Sequence, residues 1–235
     1  MFLSFEDRPS DSPVVEKIWR SHSERAGTFH SIAACHWEMV VTRHDGKTSL
    51  TVRGPETKAT TADCPAHGEW LAIRFKLGTF MPLLCPGDLR DRNDVTMPHA
   101  TSRSFWLNGS VWEYPDFENA DTFVQRLVHD GLIAKDLSVG AALRSQPHEL
   151  TVRTVQRHFL HATGVTHGTI RRIECARHAT NLLKRGISIL DAVHEAGYYD
   201  QAHLTRSLKR LIGQTPAQVL RAEQQLSFLY NTGST

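Results

Sequence analysis

The chain contains the stretch AGYYDQAHLTRSLKRLIGQTP, residues 196–216, which reads without a break as a turn, a helix and the start of another helix. Asp200 can accept hydrogen bonds from the free N–H groups of a helix that begins immediately after it. Gly213 can adopt the left-handed conformation that ends such a helix, and Thr215 with Pro216 can begin the next one. The stretch therefore predicts a capped helix between a turn and a second helix.

The two faces of this predicted helix differ in polarity. Leu204, Leu208 and Leu211 recur at i, i+4 and i+7, which places them on one side. The opposite side carries hydrogen-bonding and basic residues, namely Gln201, His203, Arg206 and Lys209. A helix with one packed face and one donor face is typical of a helix that enters a DNA groove.

Composition and charge place this helix in a globular protein with a basic second half. The chain has 235 residues, 40% hydrophobic and 22% charged, which is ordinary for one or two globular domains. Residues 1–130 carry 14 Lys and Arg against 18 Asp and Glu, whereas residues 131–235 carry 13 against 7. The basic excess lies wholly in the second half, as expected if that half meets a polyanion. Because no run approaches the roughly 18 apolar residues of a membrane span, we expect a cytoplasmic protein with no membrane partner.

The first half has the sequence pattern of short strands. β-favouring runs occupy residues 36–43, 47–53, 70–77, 104–107 and 111–114. Asp45-Gly46 and Asn108-Gly109 each join two of these runs, and such dipeptides are strong hairpin signals. Residues 70–77 alternate between apolar and polar positions, which predicts a half-buried strand. The fold class predicted is α+β, with an N-terminal β-rich sandwich or cupin-like barrel.

The second half has helical periodicity. We expect helices that begin near Asn119 or Asp121, at Thr151, near Thr169 and at Ser188, with glycines at 131, 164, 186 and 197 close to their ends. A short helix predicted at 139–144 is followed by the Thr151 helix, and the Ser188 helix is followed by the helix that begins at Gln201. The sequence therefore predicts two helix-turn-helix units. The helix at 169–185 has 17 residues and spans about 25 Å. It can set two recognition helices roughly one DNA turn, ~34 Å, apart.

Residues from about 120 to 225 resemble the tandem helix-turn-helix DNA-binding domain of AraC-type transcription regulators. The matching motifs are TVRTVQRHF at 151–159, Thr163-Gly164, RHATNLLKRG at 177–186, GYYDQAHLTRSLKRL at 197–211 and Thr215-Pro216. The strand-rich half resembles, more weakly, the cupin-like sensor domains often joined to this module. The resemblance implies two domains, with effector sensing or dimerisation in residues 1–118 and DNA binding in residues 119–228.

The resemblance also implies which side chains face DNA. It places Arg153, Thr154 and Arg157 of the first recognition helix, and Gln201, His203 and Arg206 of the second, toward base edges. Arginine can donate two hydrogen bonds to guanine and glutamine can pair with adenine, so the chemistry agrees. Lys209 is expected at a phosphate. The alternative for each residue is a solvated helix face.

The remaining function classes have weaker support. HExxH, GxSxG and phosphate-binding loop motifs are absent, so we expect no catalytic residues, no cofactor and no metal site. Trp37, Arg74 and Trp106 can line a pocket for a small-molecule effector, but aromatic residues on strands are more often core. The strand-rich half can instead form a homodimer. The alternatives to an effector-modulated regulator of double-stranded promoter DNA are a cupin-like enzyme with a helical appendage and an effector-independent dimeric DNA binder.

Overall fold

The computed structural model describes residues 3–84, 86–91, 95–136, 139 and 151–221, and these divide into two compact units. The first unit is formed by residues 1–27, 36–55 and 65–167, and the second by residues 28–35, 56–64 and 168–235. Each unit therefore combines segments that are distant in sequence. The predicted domain boundary between residues 118 and 119 separates a sensing or dimerising segment from a DNA-binding segment. This division by function stays a prediction.

The strands come first along the chain and the helices mostly follow. The strands are β1 Leu3–Arg8, β2 Val15–Ser23, β3 Gly27–Ser31, β4 Glu38–His44, β5 Lys47–Arg53, β6 Thr60–Cys64, β7 Glu69–Phe75, β8 Thr79–Phe80, β9 Val95–Thr96, β10 Ser104–Leu107, β11 Ser110–Glu113 and β12 Ala134–Lys135. The helices are α1 Ala120–His129, α2 Val152–Thr163, α3 His167–Lys184, α4 Ile189–Glu195, α5 Gln201–Leu211 and α6 Pro216–Arg221. The predicted order of a β-rich half followed by a helical half is confirmed.

A six-stranded antiparallel sheet, in the order β1-β2-β7-β4-β5-β9, organises the first unit. Both predicted hairpins are present, because β4 pairs with β5 and β10 pairs with β11. Their turn residues have positive φ, 49° and 72° at Asp45 and Gly46, and 50° and 76° at Asn108 and Gly109. This is the conformation that tight hairpin turns need and that these residue types tolerate. Among the described strands none joins β1 to β9, so closure into a cupin-like barrel stays a prediction.

Strand β7 differs from its prediction in burial. Its apolar positions Leu71, Ile73 and Phe75 are buried as expected, but Ala72 and Arg74 on the opposite face are buried as well. The expectation of a half-buried strand is therefore wrong. The strand lies inside the sheet, between β2 and β4, and both of its faces are covered. Tertiary structure decides which strands lie beside β7 and what covers each of its faces. The alternation of apolar and polar residues within one strand cannot predict either.

Helix α1 packs on the core of the first unit. Its buried side chains are Ala120, Phe123, Val124 and Leu127, and they belong to the same cluster as the core-facing residues of β4, β5 and β7. Of the two predicted starts, near Asn119 or near Asp121, the first is confirmed, because the helix begins at Ala120 and Asn119 is its N-cap. The short helix predicted at 139–144 falls outside the described residues, except for Val139, which is buried.

Candidate nucleic-acid interface

Helix α5 is built as the sequence predicts. The Asp200 carboxylate accepts a hydrogen bond from the His203 N–H at 2.6 Å and so caps the first turn. Leu204, Leu208 and Leu211 are buried. The other side of the helix is exposed, including Gln201, His203, Arg206, Lys209 and Arg210. The helix therefore presents donors and positive charge to solvent while its leucines hold it in the fold.

A half-buried tyrosine, Tyr198, links the turn before α5 to the helix itself. The Tyr198 hydroxyl lies 2.9 Å from the Ser207 hydroxyl, and its ring meets the His203 ring edge-on, with centroids 5.0 Å apart. Burial raises the pKa of Tyr198 above its usual value, although the Ser207 hydrogen bond opposes this. The neighbouring Tyr199 is 91% exposed. The Tyr198 side chain thus packs the turn onto α5, whereas the Tyr199 side chain is exposed just before the donor face begins.

The end of α5 leads directly into α6. Gly213 has φ 84°, and its N–H donates to the Leu208 carbonyl at 3.0 Å. Thr215 and Gln218 then cap each other: the Thr215 N–H donates to Gln218 Oε1 at 2.9 Å, and the Gln218 N–H donates to Thr215 Oγ1 at 3.2 Å. This is the reciprocal arrangement of a capping box. The predicted roles of Gly213 and Thr215 are confirmed.

Helix α2 carries the other predicted DNA-facing residues and belongs to the first unit. Arg153 and Arg157 are exposed and Thr154 is half-buried. The Thr154 N–H donates to the Thr151 hydroxyl at 3.3 Å, and the two hydroxyls are 3.0 Å apart. The Thr154 hydroxyl therefore takes part in the helix cap.

Other side chains of α2 hold this helix in the first unit. His158 Nδ1 lies 3.1 Å from the Asp136 carboxylate, and the His161 ring meets the Phe80 ring edge-on at 5.5 Å. No local sequence pattern predicts these two contacts, because the partners are 22 and 81 positions away. The distance between α2 and α5, predicted at one DNA turn, stays a prediction.

The described helices from Thr151 to Arg221 are strongly cationic. They contain eleven Lys and Arg against four Asp and Glu. On α3, Arg171 and Arg172 are both exposed, and Arg172 donates to the Thr169 hydroxyl at 3.2 Å. Among the residues of this stretch that the structure describes, acidic side chains neutralise few of the exposed cations. Such a surface attracts a polyanion regardless of its sequence.

The three residues predicted to bind an effector have different surroundings. Trp37 is buried, stacks on Phe75 with centroids 3.9 Å apart, and donates to the Thr79 carbonyl at 2.6 Å. Arg74 is 1% exposed and donates to Glu38 at 2.7 Å. Since successive strand residues face opposite sides, Arg74 lies on the opposite face of the sheet from Phe75 and its stacked partner.

Trp106, the third residue of this set, lies in the β10–β11 hairpin. It is 43% exposed and meets the His99 ring edge-on at 5.5 Å. Trp37 thus makes a packing contact and Arg74 an ion pair. The role of these three residues in binding an effector stays a prediction.

A cleft that the sequence did not reveal lies in the first unit. It has a volume of about 480 Å³, and its lining includes Arg20, His22, Arg43, Trp70 and Phe117. The Arg20 guanidinium lies over the Phe117 ring, 4.4 Å from its centroid, and also pairs with Glu6. These residues come from separate strands and a distant loop. Only strand pairing brings them together, so no local pattern signals the cleft.

The helices of the second half, with the capped α5 and its exposed polar face, are those of a helix-turn-helix domain. Comparison with protein families shows the particular type: residues 148–222 match a family described as a helix-turn-helix domain, of the AraC type. The predicted resemblance is confirmed for this C-terminal part, and the match supports a DNA-binding transcription regulator. Comparison with curated proteins and with solved structures gave no match. Within the described part of the chain, no helix has the length and apolar character needed to cross a membrane.

Proposed function

We propose that the protein is a sequence-specific transcription regulator whose α5 reads base edges in a major groove of double-stranded DNA. The observation that supports this most directly is the geometry of α5. The helix is capped at its start, its leucines are buried, and its exposed face carries hydrogen-bond donors within a helix-turn-helix domain. An exposed donor face on a rigidly held helix is what major-groove recognition requires.

The residues of α5 have distinct roles in this proposal. Arg206 donates two hydrogen bonds to a guanine, Gln201 pairs with an adenine, and His203 makes a further base contact. Lys209, nearer the end of the helix, contacts a phosphate. The second group of contacts comes from α2, through Arg153, Thr154 and Arg157, with Arg172 of α3 at the DNA backbone.

The first unit provides a place for a small-molecule effector. The 480 Å³ cleft combines aromatic rings with Arg20, Arg43 and His22, and a cleft of this volume suits a metabolite-sized ligand. A ligand that prefers one conformation of the protein shifts the DNA-binding population by its differential affinity. In this proposal the protein acts in the cytoplasm without catalysis, and its cupin-like strand-rich half senses the effector or forms a homodimer.

Selection of bound sequences from random duplex DNA tests the proposed DNA recognition. Wild type should enrich a defined sequence, and Arg206→Ala should lose about 1–3 kcal/mol of binding energy on it, roughly 5- to 150-fold, while relaxing the preference at one base pair. Arg25→Ala is the matched control, because it removes an exposed arginine of the first unit. Equal losses on the selected and scrambled duplexes would assign Arg206 to a phosphate instead.

A further inference from the structure

Two segments of the strand-rich half belong to the same compact unit as α5. They are residues 28–35 and 56–64, and we call them together the clamp. The two segments are joined to each other: β3 pairs with β6, and Ala34 and Glu56 exchange two backbone hydrogen bonds of 2.9 and 2.8 Å. The Ser31 hydroxyl also donates to the Glu56 carboxylate at 2.9 Å. The clamp is therefore one small structured element.

The clamp donates hydrogen bonds to the end of the recognition helix. The Ala59 N–H donates to the Arg210 carbonyl, and the Ala33 N–H donates to the Leu211 carbonyl, both at 2.8 Å. These carbonyls lie in the last turn of α5, where no following helical N–H is available to bond them. In an isolated domain, water or a different cap has to take the place of these two N–H groups.

Packing around Gly213 closes the contact. A Cβ atom on Gly213 would lie 3.1 Å from His30 Nδ1 and 3.3 Å from the Ala59 Cβ atom, so a side chain there would fit only if the clamp moved by a few tenths of an ångström. Next to this glycine, Ile212 is fully buried, as are Ile32 and Ala33 of the clamp. The end of α5 is thus held by backbone hydrogen bonds and by close packing together.

The clamp is connected to the main sheet by short links. Residues 28–35 lie between β2 and β4, and residues 56–64 lie between β5 and β7. Only residues 36 and 37 separate the first segment from β4, and residues 54 and 55 separate β5 from the second. The clamp is therefore continuous in the chain with the strands of the main sheet.

We propose that the clamp is a working part of the DNA-binding apparatus: it holds the end of α5, and this support keeps α5 in the conformation that binds DNA. The inference rests on the proposed function, in which α5 binds DNA. Gln201, His203 and Arg206 occupy the first half of α5 and are exposed, whereas the clamp bonds the last turn. The clamp therefore supports α5 without covering the residues that contact bases. By reciprocity, DNA that binds α5 stabilises the clamp contact.

A pair of glycine variants in the full-length protein tests the proposal. Gly213 and Gly186 both have φ 84°, so alanine imposes the same backbone strain at each position. At Gly186 the added Cβ meets nothing within 4 Å, whereas at Gly213 it meets the clamp. On the duplex selected by wild type, Gly213→Ala should weaken binding at least 5-fold more than Gly186→Ala. His30→Ala should restore part of the loss when combined with Gly213→Ala, because it removes the nearest opposing atoms.

Hydrogen exchange of wild type gives a second measurement that does not depend on a variant folding. Saturating selected duplex should slow exchange in residues 28–35 and 56–64 as well as in α5. Equal affinities of the two glycine variants, together with slowing in α5 alone, would overturn the clamp proposal while Arg206→Ala still weakens binding. If wild type enriches no DNA sequence, the proposed function fails and the clamp proposal fails with it.

Discussion

The buried ion pair between Arg74 and Glu38 gives a sharp prediction about the first unit. Arg74 Nε lies 2.7 Å from Glu38 Oε1, and the two side chains are 2% and 12% exposed. Another guanidinium nitrogen of Arg74, Nη2, is buried without a hydrogen-bond partner among the described residues. Glu38→Gln leaves this guanidinium buried without a counter-charge, which costs about 3–5 kcal/mol.

The two halves of the pair are not equivalent, and this asymmetry can be measured. Arg74→Met removes the buried charge itself and leaves a carboxylate that is partly in contact with water, so we expect a loss of about 1–3 kcal/mol. With both groups apolar, the Glu38→Met/Arg74→Met variant should lose less than about 1 kcal/mol, since replacing a whole buried pair is often neutral. Glu6→Gln is the matched control, because it breaks the Glu6–Arg20 pair, whose side chains are about half exposed. It should cost less than about 1 kcal/mol.

Urea unfolding followed by tryptophan fluorescence is a suitable assay, because all five tryptophans lie in the first unit. At a slope of about 2 kcal/mol per molar urea, Glu38→Gln should lower the midpoint by about 1.5–2.5 M with the slope unchanged. The reasoning is refuted if Arg74→Met costs as much as Glu38→Gln and the double variant costs their sum. It is also refuted if the buried and exposed pairs give the same loss.

Three further predictions concern caps, packing and pH. Asp200→Ala should destabilise α5 by about 0.5–2 kcal/mol and Asp200→Asn by much less, as thermal unfolding followed by circular dichroism will show. Leu208→Ala should cost about 2–5 kcal/mol in the same measurement, because this side chain is fully buried, and a loss below 1 kcal/mol would contradict that packing. Partial burial opposes ionisation of Asp121, but hydrogen bonds from Ser10 and Arg8 and the charge of Arg8 outweigh it and lower the pKa of Asp121. The stability that this group contributes is present above about pH 3.8 and is lost as the pH falls further, so Asp121→Asn should flatten the dependence of tryptophan-detected stability on acid pH.

Local features of the fold were predictable because each depends on neighbours in sequence. Asp45-Gly46 and Asn108-Gly109 fix hairpin turns through their own φ preferences, and Asp200 caps α5 through a hydrogen bond three residues away. The start of α3 shows the limit of this approach: the helix begins at His167, two residues before the expected Thr169. Helix ends depend on a few weak bonds, so their positions shift more easily than the helix itself.

The sequence by itself therefore determined the order of strands and helices, the hairpin turns and the polar face of α5, because period and capping act within a few residues. Only the tertiary structure decided that both faces of β7 are covered, that Arg20 and Phe117 share a cleft, and that Ala33 and Ala59 bond the end of α5. Those contacts join residues tens to more than a hundred positions apart. They form only when the chain folds, since burial of apolar surface selects the partners and no local signal specifies them.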